Sequence, residues 1–133
     1  MSNWLVCGTR VQNKVYSNAY KEIVFKELDE MLRMERYMKR NIPDSIIEGC
    51  CPDSADQYAE DWATINGIKI QHHPSTSGNY LRRNIEMVKK ASLVIAFWDG
   101  FSYGTAHTIA TAIMYNKPVI VTFLDMKKVK VNG

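Results

Sequence analysis

Ser92-Leu93-Val94-Ile95-Ala96-Phe97 and Pro118-Val119-Ile120-Val121-Thr122-Phe123 are the two stretches that decide the fold. Each is a short, near-continuous apolar run without polar alternation. Strands of this kind belong in the middle of a parallel sheet covered by helices. Between them, Ala106, Ile109, Ala110, Ile113 and Met114 recur at helical spacing, so this half of the chain reads strand–helix–strand.

The same alternation runs back to the N-terminus. Trp4-Leu5-Val6-Cys7 is a first strand, followed by a helix from about Ser17 to Arg40 with Tyr20, Ile23, Val24, Leu28, Met31 and Leu32 on one face. Ser45-Ile46-Ile47-Glu48 is a second strand. Ala55, Tyr58, Ala59, Trp62 and Ala63 then mark an amphipathic helix, with Asp53 in the place of its N-cap. Ile68-Lys69-Ile70 is a short third strand, and a turn-rich loop from His72 to Gly78 leads to a helix with Leu81, Ile85 and Val88 inward, ending near Lys90. Strand and helix alternating throughout predicts a doubly wound, Rossmann-like α/β fold: a mostly parallel five-stranded sheet with helices on both faces. The 133 residues fit one such domain. After Leu124 the pattern weakens, and Val129 and Val131 either add an edge strand or fray.

Composition narrows the function classes. Hydrophobic residues at 46% and charged residues at 23% exclude a disordered chain. A net charge of +3 suits an anionic ligand, but it is too mild to argue for nucleic acid, which is not expected as a partner. Arg33, Arg36, Lys39 and Arg40, and Lys127, Lys128 and Lys130, read as solvated faces or helix ends. No apolar run is long enough for a membrane span and no signal peptide is visible, so no membrane partner and a cytoplasmic location are expected. Cys7, Cys50 and Cys51 are odd in number and form no disulfide framework. Cys50-Cys51 and His72-His73 lack zinc-ligand spacing, so neither a metal nor a cofactor is expected.

In an open α/β sheet, ligands sit beyond the carboxyl ends of the strands, near the point where the strand order reverses. That rule selects the loops Gly8-Thr9-Arg10, Glu48 to Ser54, and Asp99 to Thr105. In the last, Gly100 and Gly104 permit a sharp turn and close backbone approach, while Ser102 and Thr105 supply hydroxyls. The helix that starts there aims free N–H groups and its positive dipole end into the same space, making a cradle for phosphate or carboxylate. Arg10 suits bidentate phosphate recognition. Glu48 is placed to accept hydrogen bonds from a ribose, and Trp98 either stacks on a base or closes the sheet edge. Neither the dinucleotide fingerprint nor the P-loop motif is present.

Four segments occur in an order that resembles the SLOG superfamily, and within it the YspA-type domain most closely. They are Gly8-Thr9-Arg10, then Gly49 through Asp56 with Ala59, Trp62 and Ala63, then Arg83-Asn84-Ile85-Glu86-Met87, and finally Trp98-Asp99-Gly100 with Gly104-Thr105. The resemblance spans residues 3 to 123 and implies a pocket for nucleotides or nucleotide-derived ligands. It implies that Gly8, Thr9 and Arg10 line the pocket, with Gly49, Ser54, Asn84 and His107 around it. Arg83 would face the ligand, and Gly100, Ser102, Gly104 and Thr105 would cradle its phosphate. Enzymes of the superfamily, like the similar nucleoside deoxyribosyltransferases, carry a catalytic glutamate where this chain has Thr108. A threonine hydroxyl cannot stabilise an oxocarbenium ion as a carboxylate does. The expectation is therefore a binding protein, a sensor or sequestering protein in bacterial or phage nucleotide signalling and defence, rather than an enzyme. The alternative is an enzyme acting on the N-glycosidic bond with altered catalytic groups. The resemblance also implies a homo-oligomer, dimer or higher, with Met87, Met114 and Tyr115 as candidates for its surface.

Overall fold

The computed structural model describes residues 2–75 and 78–125. The tail lysines, Val129 and Val131 lie outside the described residues. In chain order the elements are β1 (Asn3–Gly8), α1 (Ser17–Met38), β2 (Ser45–Glu48), α2 (Ala55–Ile65), β3 (Lys69–His72), α3 (Tyr80–Lys90), β4 (Leu93–Trp98), α4 (Tyr103–Met114) and β5 (Val119–Phe123). A short 3-10 turn, Lys14–Tyr16, leads into α1. All five strands are parallel, in the order β3-β2-β1-β4-β5. The chain winds outward from β1 in one direction and from β4 in the other, which is the doubly wound Rossmann-like arrangement. The reversal falls between β1 and β4.

Alternation along the central strands divides the core in two. Trp4, Val6, Ile46, Ile95 and Phe97 pack with Tyr20, Val24, Leu28, Ala59 and Trp62 of α1 and α2. Leu5, Ile47 and Val94 pack with Met87, Val88 and Ala112 of α3 and α4. Trp62 stacks on Trp4 with centroids 6.3 Å apart, and its Nε1–H donates to Asp29 at 2.8 Å. The large apolar body is thus buried and its one polar atom is satisfied.

The local starts and stops differ from the sequence reading in ways that have physical causes. Ser54, not Asp53, caps α2: its extended backbone lets Oγ accept from the Asp56 N–H at 3.1 Å, whereas Asp53 lies in the left-handed region at φ 56°. Helix α1 stops at Met38 because Lys39 turns left-handed and returns its N–H to the Arg36 and Glu35 carbonyls. In α3 the buried residues are Asn84, Met87 and Val88, while Leu81 faces out. Met87 is therefore core rather than surface.

The largest departure is α4. The expected inward stripe is turned outward: Ile113 is 61% and Met114 78% exposed, and the sheet is met by Thr105, Thr108, Thr111 and Ala112. Threonines can line a core here because two of their hydroxyls donate back to the helix. Thr108 Oγ1 reaches the Gly104 carbonyl at 3.1 Å and Thr111 Oγ1 the His107 carbonyl at 2.7 Å, which leaves methyl groups for packing. Strand β5, read from its apolar run as central, is at the edge of the sheet among the described residues, with Ile120, Val121 and Phe123 exposed. Among the described residues no helix is long and apolar enough to cross a membrane.

At the end of β1 the backbone passes so close to its neighbours that no side chain fits. A Cβ on Gly8 would lie 2.6 Å from the Tyr20 hydroxyl, 2.8 Å from the Ala55 Cβ and 2.8 Å from the Phe97 carbonyl oxygen. Two of these three neighbours are held by backbone, so relief requires moving a strand or helix. Gly8→Ala is expected to destabilise the fold by about 1–3 kcal/mol in urea unfolding. An unchanged midpoint would show that β1 and α2 separate freely.

Candidate functional site

A cleft of about 240 Å³ opens at the carboxyl ends of β1 and β4, at the reversal of strand order. Its lining comes from four places. The β1 end gives Cys7, Gly8 and Arg10, and the start of α2 gives Cys51 and Asp56. Helix α3 gives Arg83, Asn84 and Met87, and α4 with its preceding residue gives Ser102, Gly104, Thr105 and Thr108. The cavity lies just under the ~300 Å³ at which small-molecule sites begin, so it holds a phosphate and sugar more readily than a whole nucleotide.

The loop joining β4 to α4 is folded by Asp99. Its Oδ1 accepts from the Phe101 N–H, the Ser102 N–H and the Ser102 hydroxyl, at 2.9, 2.9 and 3.0 Å. Partial burial works to raise the pKa of this carboxyl, but the donated hydrogen bonds outweigh it and hold the group below its ordinary range. Gly100 turns the loop at φ 88°, a conformation that favours glycine. With Asp99 occupied in this way, no side chain caps α4. The first-turn N–H groups of α4 are left at the cleft beside the Ser102 hydroxyl and Thr105. A Cβ on Gly104 would meet nothing within 4 Å, so the cleft is open at that point.

The second source of positive charge is a pair of arginines. Arg83 Nη1 donates to the Gly49 carbonyl at 2.6 Å and more weakly to the His73 carbonyl at 3.4 Å. Its Nε is buried without a partner. Gly49 is required for this seat, because a Cβ there would lie 2.6 Å from Arg83 Nη1. Arg10 is exposed, and neither arginine has a carboxylate within ion-pairing distance among the described residues.

Asp56 lines the cleft, although the sequence marks it only as the end of the Gly49–Asp56 segment. It is buried and accepts from the Gly49 N–H at 3.1 Å and the Cys51 N–H at 3.3 Å. Burial raises its pKa from 3.8 to about 7, against the Cys51 hydrogen bond and the Arg83 charge, and with help from the Glu48 charge. Only burial distinguishes it from an ordinary first-turn aspartate, and burial is a tertiary property.

Seven of the fifteen expected site residues line this cleft: Gly8, Arg10, Arg83, Asn84, Ser102, Gly104 and Thr105. The others stand behind it or elsewhere. Thr9 is buried; its Oγ1 accepts from the Asp99 N–H at 3.0 Å and is hydrogen-bonded to the Ser102 hydroxyl oxygen at 3.0 Å. Ser54 is the α2 cap, and Gly49 and Asp99 hold neighbours in place. Gly100 shapes the loop, and His107 contacts Asn84 at 3.4 Å. Trp98 gives its Nε1–H to the Ser102 carbonyl at 3.1 Å rather than lining the cavity. Glu48 is fully buried away from the cleft, with its carboxylate taken by the Cys50 N–H at 2.6 Å and His72 Nδ1 at 2.7 Å. No known family model matches the chain, and no curated protein matches it.

The Asp56 shift has a measurable sign. Below pH 3.8 the carboxyl is protonated in both folded and unfolded chains, and between there and about 7 it is protonated only in the folded one. The stabilisation is therefore complete at low pH and lost as pH rises through about 7. In urea unfolding across this range, the wild type is expected to lose stability relative to Asp56→Asn. The slope should approach about 1.4 kcal/mol per pH unit. A pH-independent difference would mean that Asp56 ionises normally.

Proposed function

We propose that this cleft binds the phosphate of a nucleotide or nucleotide-derived ligand, linear or cyclic, and that the protein acts as a SLOG-type sensor or sequestering protein in bacterial or phage nucleotide signalling. The observation that carries this reading is the pairing of two arginines free of carboxylates, Arg10 and Arg83, with the uncapped start of α4 in one cleft. A helix N-terminus and guanidinium groups are complementary to the same anion. The size of the cleft leaves the base outside it, and exposed Phe101 and Tyr103 flank cleft-lining Ser102 in the chain. The order of the four sequence segments that resemble the YspA-type domain supports the nucleotide in particular.

Binding without turnover is favoured by the state of Thr108. It occupies the position where the related enzymes carry glutamate, and its hydroxyl is bonded to the Gly104 carbonyl. One observation favours the enzymatic alternative: Asp56 reaches the cleft with a pKa of about 7, suitable for a general acid. Release of free base from bound nucleotide, lost in Asp56→Asn, would select that alternative.

The oligomeric part of the reading rests on the outward face of α4 and the adjoining edge strand. Ile113, Met114, Tyr115, Val121 and Phe123 are all exposed there, an apolar surface of the kind a partner covers. A second copy covering this face would leave the cleft free. Light scattering is expected to give a dimer or larger, and Ile113→Lys with Phe123→Lys to give a monomer. A monomeric wild type would remove the oligomer from the proposal.

Calorimetry against a panel of linear and cyclic nucleotides tests the ligand. Arg10→Ala is expected to weaken binding roughly 10- to 100-fold, the loss of one charge-assisted contact. Gly104→Val, which adds bulk in open space, is expected to abolish binding while the fold persists. Failure of every nucleotide to bind, or full binding by both variants, would overturn the reading.

A further inference from the structure

On the far side of the Glu48–Ser54 loop, three donor atoms of different chemistry converge. Strands β2 and β3 run parallel with Glu48 opposite His72, which places both side chains on one side of the sheet. Two residues on, Cys50 takes a left-handed turn at φ 61° and brings its thiol back over the Glu48 carboxylate. Glu48 Oε1, Cys50 Sγ and His72 Nδ1 all lie within 4.8 Å of one another. Cys51, the next residue, faces the cleft instead. The adjacent cysteines therefore serve different surroundings, which their spacing in sequence does not reveal.

We propose that Glu48, Cys50 and His72 are the protein ligands of a divalent zinc-class metal ion. A tetrahedral zinc site with Zn–S near 2.3 Å and Zn–N and Zn–O near 2.1 Å sets its ligand atoms about 3.4–3.6 Å apart. Two of the three edges already have that length, Cys50 Sγ to Glu48 Oε1 at 3.4 Å and Cys50 Sγ to His72 Nδ1 at 3.6 Å. The third, Glu48 Oε1 to His72 Nδ1, is at hydrogen-bond length, 2.7 Å. It must open by roughly 0.7 Å for an ion to replace the proton between the two atoms. The His72 side chain is half exposed and has room to make that movement.

Charge and donor type agree with the geometry. A carboxylate and a thiolate together neutralise a divalent cation. That matters at this position because Glu48 is fully buried and has no lysine or arginine within ion-pairing distance among the described residues. One sulfur, one imidazole and one carboxylate form a borderline-soft set suited to zinc rather than magnesium or calcium. On binding, Cys50 loses its thiol proton to solvent and the imidazole proton of His72 moves from Nδ1 to Nε2. The fourth position faces Glu60, whose Oε2 lies 4.0 Å from His72 Nδ1, or is taken by water. Cys50 is exposed, so the ion has an entry path. The ion would clip the ends of β2 and β3 together. Through the Gly49 carbonyl, 2.6 Å from Arg83, it would also fix the arginine of the cleft.

Cobalt(II) titration of the full chain, reduced and free of nucleotide, tests the site independently of any ligand in the cleft. The expected result is one equivalent bound, with a thiolate-to-cobalt band in the near ultraviolet, visible bands of tetrahedral intensity, and displacement by zinc. Cys50→Ser should remove the near-ultraviolet band, and His72→Ala should weaken binding at least tenfold. Cys51→Ser should keep the band. Cys50 is exposed and His72 half exposed, so the variants should fold, and circular dichroism checks this. A wild type without the thiolate band at millimolar cobalt would overturn the proposal, as would a band lost in Cys51→Ser and kept in Cys50→Ser.

Discussion

The hydroxyl of Tyr20 donates to the Thr9 carbonyl at 2.7 Å and accepts from the Ala55 N–H at 3.2 Å, deep in the core. These two bonds join α1 to the loop after β1 and to the first residue of α2. Gly8 lies directly against the same phenol with no room for a Cβ. A buried phenol without partners would be costly, so the three elements are held at one separation. From Thr9 the network continues through its hydroxyl to Asp99 and Ser102. The base of the cleft is therefore a chain of satisfied polar groups, and the cleft-lining atoms of Gly8, Ser102 and Gly104 rest on it.

Most of the fold was legible from the sequence because it is written in local pattern. Apolar runs at Leu5–Val6, Ile46–Ile47 and Val94–Phe97 can hardly be anything but buried strands, and the α2 stripe has one inward face. What escaped was decided by tertiary partners. The orientation of α4 depends on threonines bonding their hydroxyls to the helix backbone, and hydrophobicity counts a threonine as polar whether or not this happens. The place of β5 at the edge of the described sheet depends on which strands pair with it, and its own residues do not encode that.

The site divides along the same line. Glycine-rich loops at strand ends and the arginines near them were visible, because the chemistry of anion binding is carried by residue type. The division of labour within them was not. Thr9, Ser54 and Asp99 look like ligand-binding polar residues, but they organise the loops behind the cleft. Asp56 and the meeting of Glu48, Cys50 and His72 arise from burial and strand register. Register sets a pair 24 residues apart in the chain side by side, and no local motif records it.

The lining of the cleft is drawn from both wings of the sheet. Arg10, Cys51 and Asp56 belong with β1 and α2, while Arg83, Ser102, Gly104 and Thr105 belong with α3 and α4. These wings meet along the β1–β4 pairing, and beyond the last bonded pair loop contacts and the Arg83–Gly49 bond link them. An occupant touching both sides is a non-covalent tether across that seam. The binding free energy of any such occupant would add to the cohesion of the folded chain by mass action, so resistance to unfolding would rise with the occupant's concentration.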